Sequence, residues 1–143
     1  MIELVDFKAE HFKEMDLQEG QRYLSSWVSD AHAKSLEDQN WSYSALDDGV
    51  PVCSAGVVEM WQGRGIAWAY VSGIVTPRKF ITVHRMIDRF LNGCYLHRIE
   101  MTVDCEFDEG HRWAKMLGFD LEAERMVAYR PDGGDCALYA RTR

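Results

Sequence analysis

Apolar and polar positions alternate from Ile2 to Phe7, as they do along a strand with one buried face. From about Ala9 to Gln39 the spacing changes. Phe12 and Met15, then Tyr23, Leu24, Trp27, Val28 and Ala31, recur three or four residues apart, which predicts one or two amphipathic helices with these residues on the core face. Trp41 to Leu46 returns to period two, Asp47-Asp48-Gly49 is turn chemistry, and Val50 to Met60 continues as a second strand, so a β-hairpin is expected. A further turn at Gln62-Gly63-Arg64-Gly65 leads into a largely apolar run from Ile66 to Gly73, the third strand of an antiparallel meander.

Thr76-Pro77 is a helix-start signal: threonine can cap free amides, and proline at the first helical position forfeits no hydrogen bond. Phe80, Val83, Ile87, Phe90 and Leu91 make the apolar stripe of that helix, and Asn92-Gly93 ends it. Ile99 to Val103 reads as a strand, Phe107, Trp113 and Leu117 as one face of a short helix ending at Gly118, and Leu121 to Arg130 as another strand. Pro131-Asp132-Gly133-Gly134 turns the chain into a last strand, Cys136 to Arg141. The order β-α-α-β-β-β-α-β-α-β-β predicts an α/β (α+β layered) domain with a mixed sheet. No repeat, charge block or linker interrupts it, so residues 1–143 are expected to form a single domain.

With 143 residues, 47% hydrophobic and 27% charged, the chain has ordinary globular composition and room for a buried core. Its formal charge of −7 opposes nonspecific binding to nucleic acid or anionic membrane. The start, Met1-Ile2-Glu3-Leu4-Val5-Asp6, lacks the basic and apolar regions of a secretion signal, and no run approaches the roughly 20 apolar residues of a membrane span. A soluble, cytoplasmic protein is the expectation. Cys53, Cys94, Cys105 and Cys136 are too scattered for a zinc site or a disulfide framework and are expected to be reduced, mostly buried thiols; no metal site is expected. His84, His97 and His111 share no ligand spacing and read as surface or core histidines.

The element order, together with Arg98-Ile99-Glu100-Met101-Thr102-Val103, a helix, and Ala114-Lys115-Met116-Leu117-Gly118-Phe119 before another strand, resembles the GNAT acetyltransferase superfamily. A narrower resemblance, to GNAT-like proteins of short-tailed bacteriophages including the internal virion protein A group, rests on three features besides an aromatic-rich strand before the central helix. These are Arg78-Lys79-Phe80 at that helix's start, Leu117-Gly118-Phe119, and the closing Arg130-Pro131-Asp132-Gly133. The resemblance implies a GNAT-like mixed, mostly antiparallel sheet flanked by helices. It also implies acetyl-CoA as cofactor, with the pantetheine against exposed backbone of the fourth strand at Val71, Ser72 and Gly73, and the diphosphate at the next helix N-terminus at Thr76, Pro77, Arg78 and Lys79. Physically, unpaired strand amides suit an extended amide-bearing ligand, and a helix N-terminus suits an anion. Between residues 78 and 98 the basic side chains are Arg78, Lys79, Arg85, Arg89 and Arg98 against Asp88 alone, a local excess that a polyanion would match.

The chain also departs from the superfamily's pattern. The usual Gly-x-Gly phosphate loop is replaced by Arg78-Lys79-Phe80-Ile81-Thr82-Val83, with no glycine to admit close backbone approach, and Gln62-Gly63-Arg64-Gly65 precedes the strand and reads as a turn. Counting back from Gly118, Phe107 and Ala114 stand where the superfamily often has Asn and its Tyr proton donor. Glu59 near the end of one strand, and Asp104 or Glu106 after another, are the candidate general bases by location, and each also reads as an ordinary surface acid. Cys105 has no assignable histidine partner for a nucleophilic role. Two functions are therefore expected in competition: an acyl-CoA-dependent N-acyltransferase with a degenerate phosphate loop, or a catalytically silent GNAT-fold phage structural or interaction protein, virion-associated, whose partner is another protein.

Overall fold

In the computed structural model, which describes all 143 residues, strand β1 (Ile2–Asp6) lies antiparallel to β2 (Trp41–Asp47), with Ile2 opposite Asp47 and Asp6 opposite Tyr43. β2 pairs antiparallel with β3 (Val50–Trp61) across a tight turn in which Asp48 and Gly49 take φ of 49° and 85°, backbone that the expected Asp-Gly pair tolerates. The next turn places Gly63 at φ 91° and opens β4 (Arg64–Val71). After α3 (Pro77–Gly93) come β5 (Arg98–Asp104), α4 (Asp108–Met116), β6 (Asp120–Met126) and β7 (Cys136–Thr142). The seven strands form one mixed sheet in the order β1-β2-β3-β4-β5-β7-β6, as the expected α+β class requires.

Its one parallel register joins Arg64, Gly65 and Ile66 of β4 to Arg98, Ile99 and Glu100 of β5, and stops there. β5 continues antiparallel to β7 along its whole length, and β6 pairs with the other edge of β7 through two register shifts. The expected strand to Arg130 ends earlier, at Met126. Ala128 takes φ 54° and gives its amide to Asp135 Oδ1 at 2.8 Å, which starts the turn that the sequence placed at Pro131.

The chain divides into two compact units, Met1–Val58 with Trp68–Phe90, and Glu59–Ala67 with Leu91–Arg143. In the first, Phe7, Phe12, Met15, Leu17, Leu36 and Tyr70 form a buried cluster against which Leu24, Val28, Val58 and Trp68 pack. Phe7 meets Trp68 edge-on at 5.3 Å and Phe12 meets Tyr70 at 4.8 Å, so these rings are core, whereas Ala31, expected on the core face, is exposed, and Trp61, Tyr95 and Tyr129 lie at the surface. In the second, Tyr139, Leu96, Ile99, Ala114 and Phe119 are buried. Gly110 lets α4 approach β5, because a Cβ there would lie 2.8 Å from Val103 Cγ1.

The segment expected to form one or two helices forms α1 (Ala9–Glu14) and α2 (Asp30–Glu37), separated by a 3₁₀ segment, Glu19–Ser26. Ser29 caps α2 by accepting from the His32 amide at 3.1 Å. The helix cannot run through Asp16–Gln18, because that stretch is extended and bridges β4's end, Leu17 opposite Ser72. All four cysteines are free; Cys53, Cys94 and Cys136 are buried, Cys105 partly so, and burial pushes the Cys53 thiol up to about 12. No helix is long and apolar enough to cross a membrane, and no group of three or more metal-capable side chains forms.

Candidate functional site

The start of α3 is built as the Thr-Pro signal implied. Thr76 O accepts from the Phe80 amide at 2.9 Å and Thr76 Oγ1 from the Lys79 amide at 3.3 Å. Arg78 is exposed at this end. Lys79 is paired with Asp47 of β2, a carboxylate only 14% exposed, and each partner stabilises the other's charge: the ammonium is shifted up and the carboxyl down. The helix end therefore presents free positive charge through Arg78, and through Lys79 only in exchange with Asp47. Phe80 and Ile81 follow where glycines would admit a phosphate closely.

Val71, Ser72 and Gly73 carry the second half of the expected site, and their backbones are already engaged. Ser72 N–H donates to Val52 O of β3 at 2.9 Å, so by strand alternation the groups of Ala69 and Val71 face the opposite edge. On that edge Gly73 N donates to Asp16 O at 2.8 Å and Gln18 N donates to Val71 O at 2.8 Å. The Gln21 side chain completes the row, its Nε2 donating to Ala69 O at 2.7 Å and its Oε1 accepting from Val71 N at 2.9 Å. The sequence reading missed Gln21 entirely. It appears there as one polar residue in a helical-period segment, with no pattern marking a side chain that will act as a strand.

Glu59 and Asp104, the candidate bases, are not brought together. Glu59 Oε2 accepts from the Gly63 amide at 3.1 Å, and Tyr95 Oη donates to its Oε1 at 3.4 Å, so it braces the β3–β4 turn next to the start of β5. Asp104 ends β5, six residues and about 20 Å further along. There its Oδ1 accepts from Glu106 N at 3.1 Å, and its Oδ2 lies 2.9 Å from Arg130 Nη1. It borders a 310 Å³ surface hollow with Cys105, Arg125, Gly134 and Asp135, whose charges are paired to one another: Arg125 with Asp135 at 2.5 Å, and Arg130 with Asp132 at 3.1 Å. Both carboxylates hold the fold's own groups. Ala114, the position counted back from Gly118, is fully buried in α4.

His111 is half-buried, held between two of the fold's own groups. Its Nε2 lies 3.0 Å from Cys105 O, a pure acceptor, so Nε2 carries a hydrogen, and Nδ1 lies 2.7 Å from the Tyr139 hydroxyl. Tyr139 is 1% exposed, and burial shifts its phenol up.

The strongest electrostatic feature is Glu100, where β4 and β5 pair. Arg64 donates to it in bidentate fashion at 2.6 and 2.9 Å, and Arg98 donates at 2.8 Å while also gripping Glu122 at 2.6 and 3.1 Å. The Arg64 and Arg98 hydrogen bonds outweigh desolvation and hold the Glu100 carboxyl at about 2. A carboxyl depressed in the folded state contributes stability above its unfolded value and loses it as pH falls through the folded one. Glu100→Gln is thus expected to cost about 2 kcal/mol at neutral pH, and its deficit should shrink as urea melts are taken from about pH 5 toward pH 2. A deficit independent of pH would assign the loss to packing.

No protein-family model matches the chain, and no curated protein sequence matches it. Solved structures do. Ard1 from Thermoplasma volcanium superposes with a TM-score of 0.78 at 17% identity, over 99% of this chain and 97% of that one. The ribosomal-protein-S18-alanine N-acetyltransferase from Escherichia coli gives 0.72 at 14%, over 99% and 94%. A GNAT-family acetyltransferase from Bacillus anthracis gives 0.68 at 11%, over 99% and 94%. At these identities the likeness establishes the fold: the chain has the architecture of the GNAT N-acetyltransferases along essentially its full length.

Proposed function

We propose that the chain binds an acyl-CoA and transfers its acyl group to an amine, an N-acyltransferase with an atypical phosphate-binding end. The observation that carries this reading is the exposed, cationic start of α3 at Thr76–Lys79, set directly after β4 in a fold shared with N-acetyltransferases. Bound acyl-CoA supplies an activated acyl group. The chain's own residues bind and orient: Arg78 at the positive end of α3 holds the diphosphate, Lys79 joins it by leaving Asp47, and the β4 edge at Ala69 and Val71 faces the amides of the pantetheine arm. The fit rests at the anionic end on exposed Arg78, with Phe80 and Ile81 in place of glycines and two α3 amides already given to Thr76, and is incomplete along β4, where Gln21 stands. With Glu59 and Asp104 already engaged, catalysis by this chain leans on proximity and on solvent for the proton.

Calorimetric titration with acetyl-CoA at moderate salt tests the reading. A dissociation constant from micromolar to a few hundred micromolar, with a matching rise in melting temperature, is expected, since a ligand that binds only the native state must stabilise it. Acceptor amines would then be screened, beginning with alanine-terminated peptides because one structural relative is named for an alanine of ribosomal protein S18. No heat and no thermal shift at millimolar cofactor would overturn it. The second reading, a silent GNAT-fold protein that works through a protein partner in a phage particle, is favoured by one feature: the β4 edge is filled by the chain itself. Its phage half rests on the residues quoted from the sequence.

A further inference from the structure

We propose that Gln21 is a built-in plug of the β4 edge, an autoinhibitory side chain whose carboxamide occupies the two backbone groups, Ala69 O and Val71 N, that an amide-bearing acyl carrier must use. The inference rests on the acyl-CoA reading above and deepens it. A primary carboxamide can turn one N–H and its C=O to the same side, so Gln21 satisfies Ala69 O and Val71 N of the strand edge as a residue of a paired strand would. Its orientation is fixed on both sides. Only oxygen can face the Val71 N–H and only nitrogen can face Ala69 O, and Gln18 Nε2 adds a second donor to Gln21 Oε1 at 3.1 Å.

The plug and its mooring differ in what holds them. Leu17, 2% exposed, anchors the Asp16–Gln18 backbone in the core beside Ser72. The 3₁₀ segment that carries Gln21 has no fully buried residue, its Leu24 packing only partly buried against the core cluster, and its i→i+3 hydrogen bonds are of poorer geometry than those of an α-helix. Release of the Gln21 side chain therefore frees Ala69 O and Val71 N without dismantling the core, while Val71 O and Gly73 N stay with Gln18 and Asp16. This moves the expected pantetheine contacts from Val71–Gly73 to Ala69–Val71. It also makes the cofactor's amide a direct competitor of the Gln21 amide. The acyl carrier binds by exchange, and whatever draws the 3₁₀ segment away raises its affinity.

The test compares wild type with Gln21→Ala and with Gln21→Met, which keeps the aliphatic stem and loses both hydrogen bonds. CoA is titrated by calorimetry, Val71 amide exchange is followed, and the Gln21 side-chain NH₂ resonances of the wild type are recorded with and without CoA. Both variants are expected to bind CoA about tenfold more tightly, to exchange the Val71 amide faster when free of ligand, and the wild-type Gln21 resonances should shift at saturation. Equal or weaker binding in folded variants, or unmoved Gln21 resonances at saturation, overturns the plug and leaves the acyl-CoA reading standing. Absence of CoA binding in all three proteins overturns that reading and the plug with it. The wild-type resonances decide the question without the variants should either fail to fold.

Discussion

Gly56→Ala is expected to destabilise the protein by about 3 kcal/mol and to lower its melting temperature by about 10 °C. Gly56 sits opposite Ser42 in the β2–β3 pair, and a Cβ there would lie 2.1 Å from the Trp41 carbonyl oxygen and 2.9 Å from the Trp68 ring. The first atom is backbone inside a sheet and cannot rotate aside. The second belongs to an indole packed against Phe7 and Tyr70, so moving it disturbs the aromatic cluster under α1 and α2. Trp68 covers the bare backbone of Gly56, which is how a strand glycine is made tolerable. Gly93→Ala is the control: nothing lies within 4 Å of its Cβ, and at the end of α3 alanine should be neutral or stabilising by up to about 1 kcal/mol. Thermal melts of the two variants separate steric conflict from a general intolerance of Gly→Ala, and equal melting temperatures would refute the assignment.

Most of the fold was legible because its signals are local. Period-two runs bracketed by Asp47-Asp48-Gly49 and Gln62-Gly63 specify the meander, and Thr76-Pro77 with Asn92-Gly93 bounds α3 within a residue at each end. The misplaced boundaries share one cause, pairing with residues outside the local pattern. Asp16–Gln18 leaves the helical spacing because it must meet Ser72, which lies 56 residues beyond Asp16. The 127–130 stretch leaves the strand because Asp135 captures Ala128 N. No periodicity within a window encodes either partner. The insertion of β7 between β5 and β6 is equally invisible to it.

The candidate site was legible only where it depends on a helix end. Thr76, Arg78 and Lys79 are where the sequence put them, though Lys79's ion pair with Asp47 needed the structure. The carboxylates were chosen by position along strands, and position does not report partners. Glu59 serves the Gly63 amide and Asp104 serves Arg130, roles that any acid near a turn can acquire. Glu100 was passed over as a strand residue, yet it has the most depressed carboxyl, because two arginines from different strands converge on it.

Arg78→Glu combined with Lys79→Glu is expected to weaken CoA binding by about a hundredfold, enough to abolish the thermal shift at millimolar cofactor. Each reversal replaces an attraction to the diphosphate with a repulsion at the positive end of α3, and the residual binding of the single variants should become less salt-dependent than that of the wild type. A loss of binding could also arise from damage, since the carboxylate introduced by Lys79→Glu would face Asp47, a largely buried acid that now relies on the Lys79 ammonium. Asp47→Lys added to Lys79→Glu restores an ion pair of opposite sense across the same contact. That double variant should recover the wild-type melting temperature while its CoA affinity stays low, because the repaired pair still puts a negative charge where the phosphates sit. Recovery of affinity along with stability would mean that Lys79 acts by holding α3 to β2 and that the phosphates lie elsewhere.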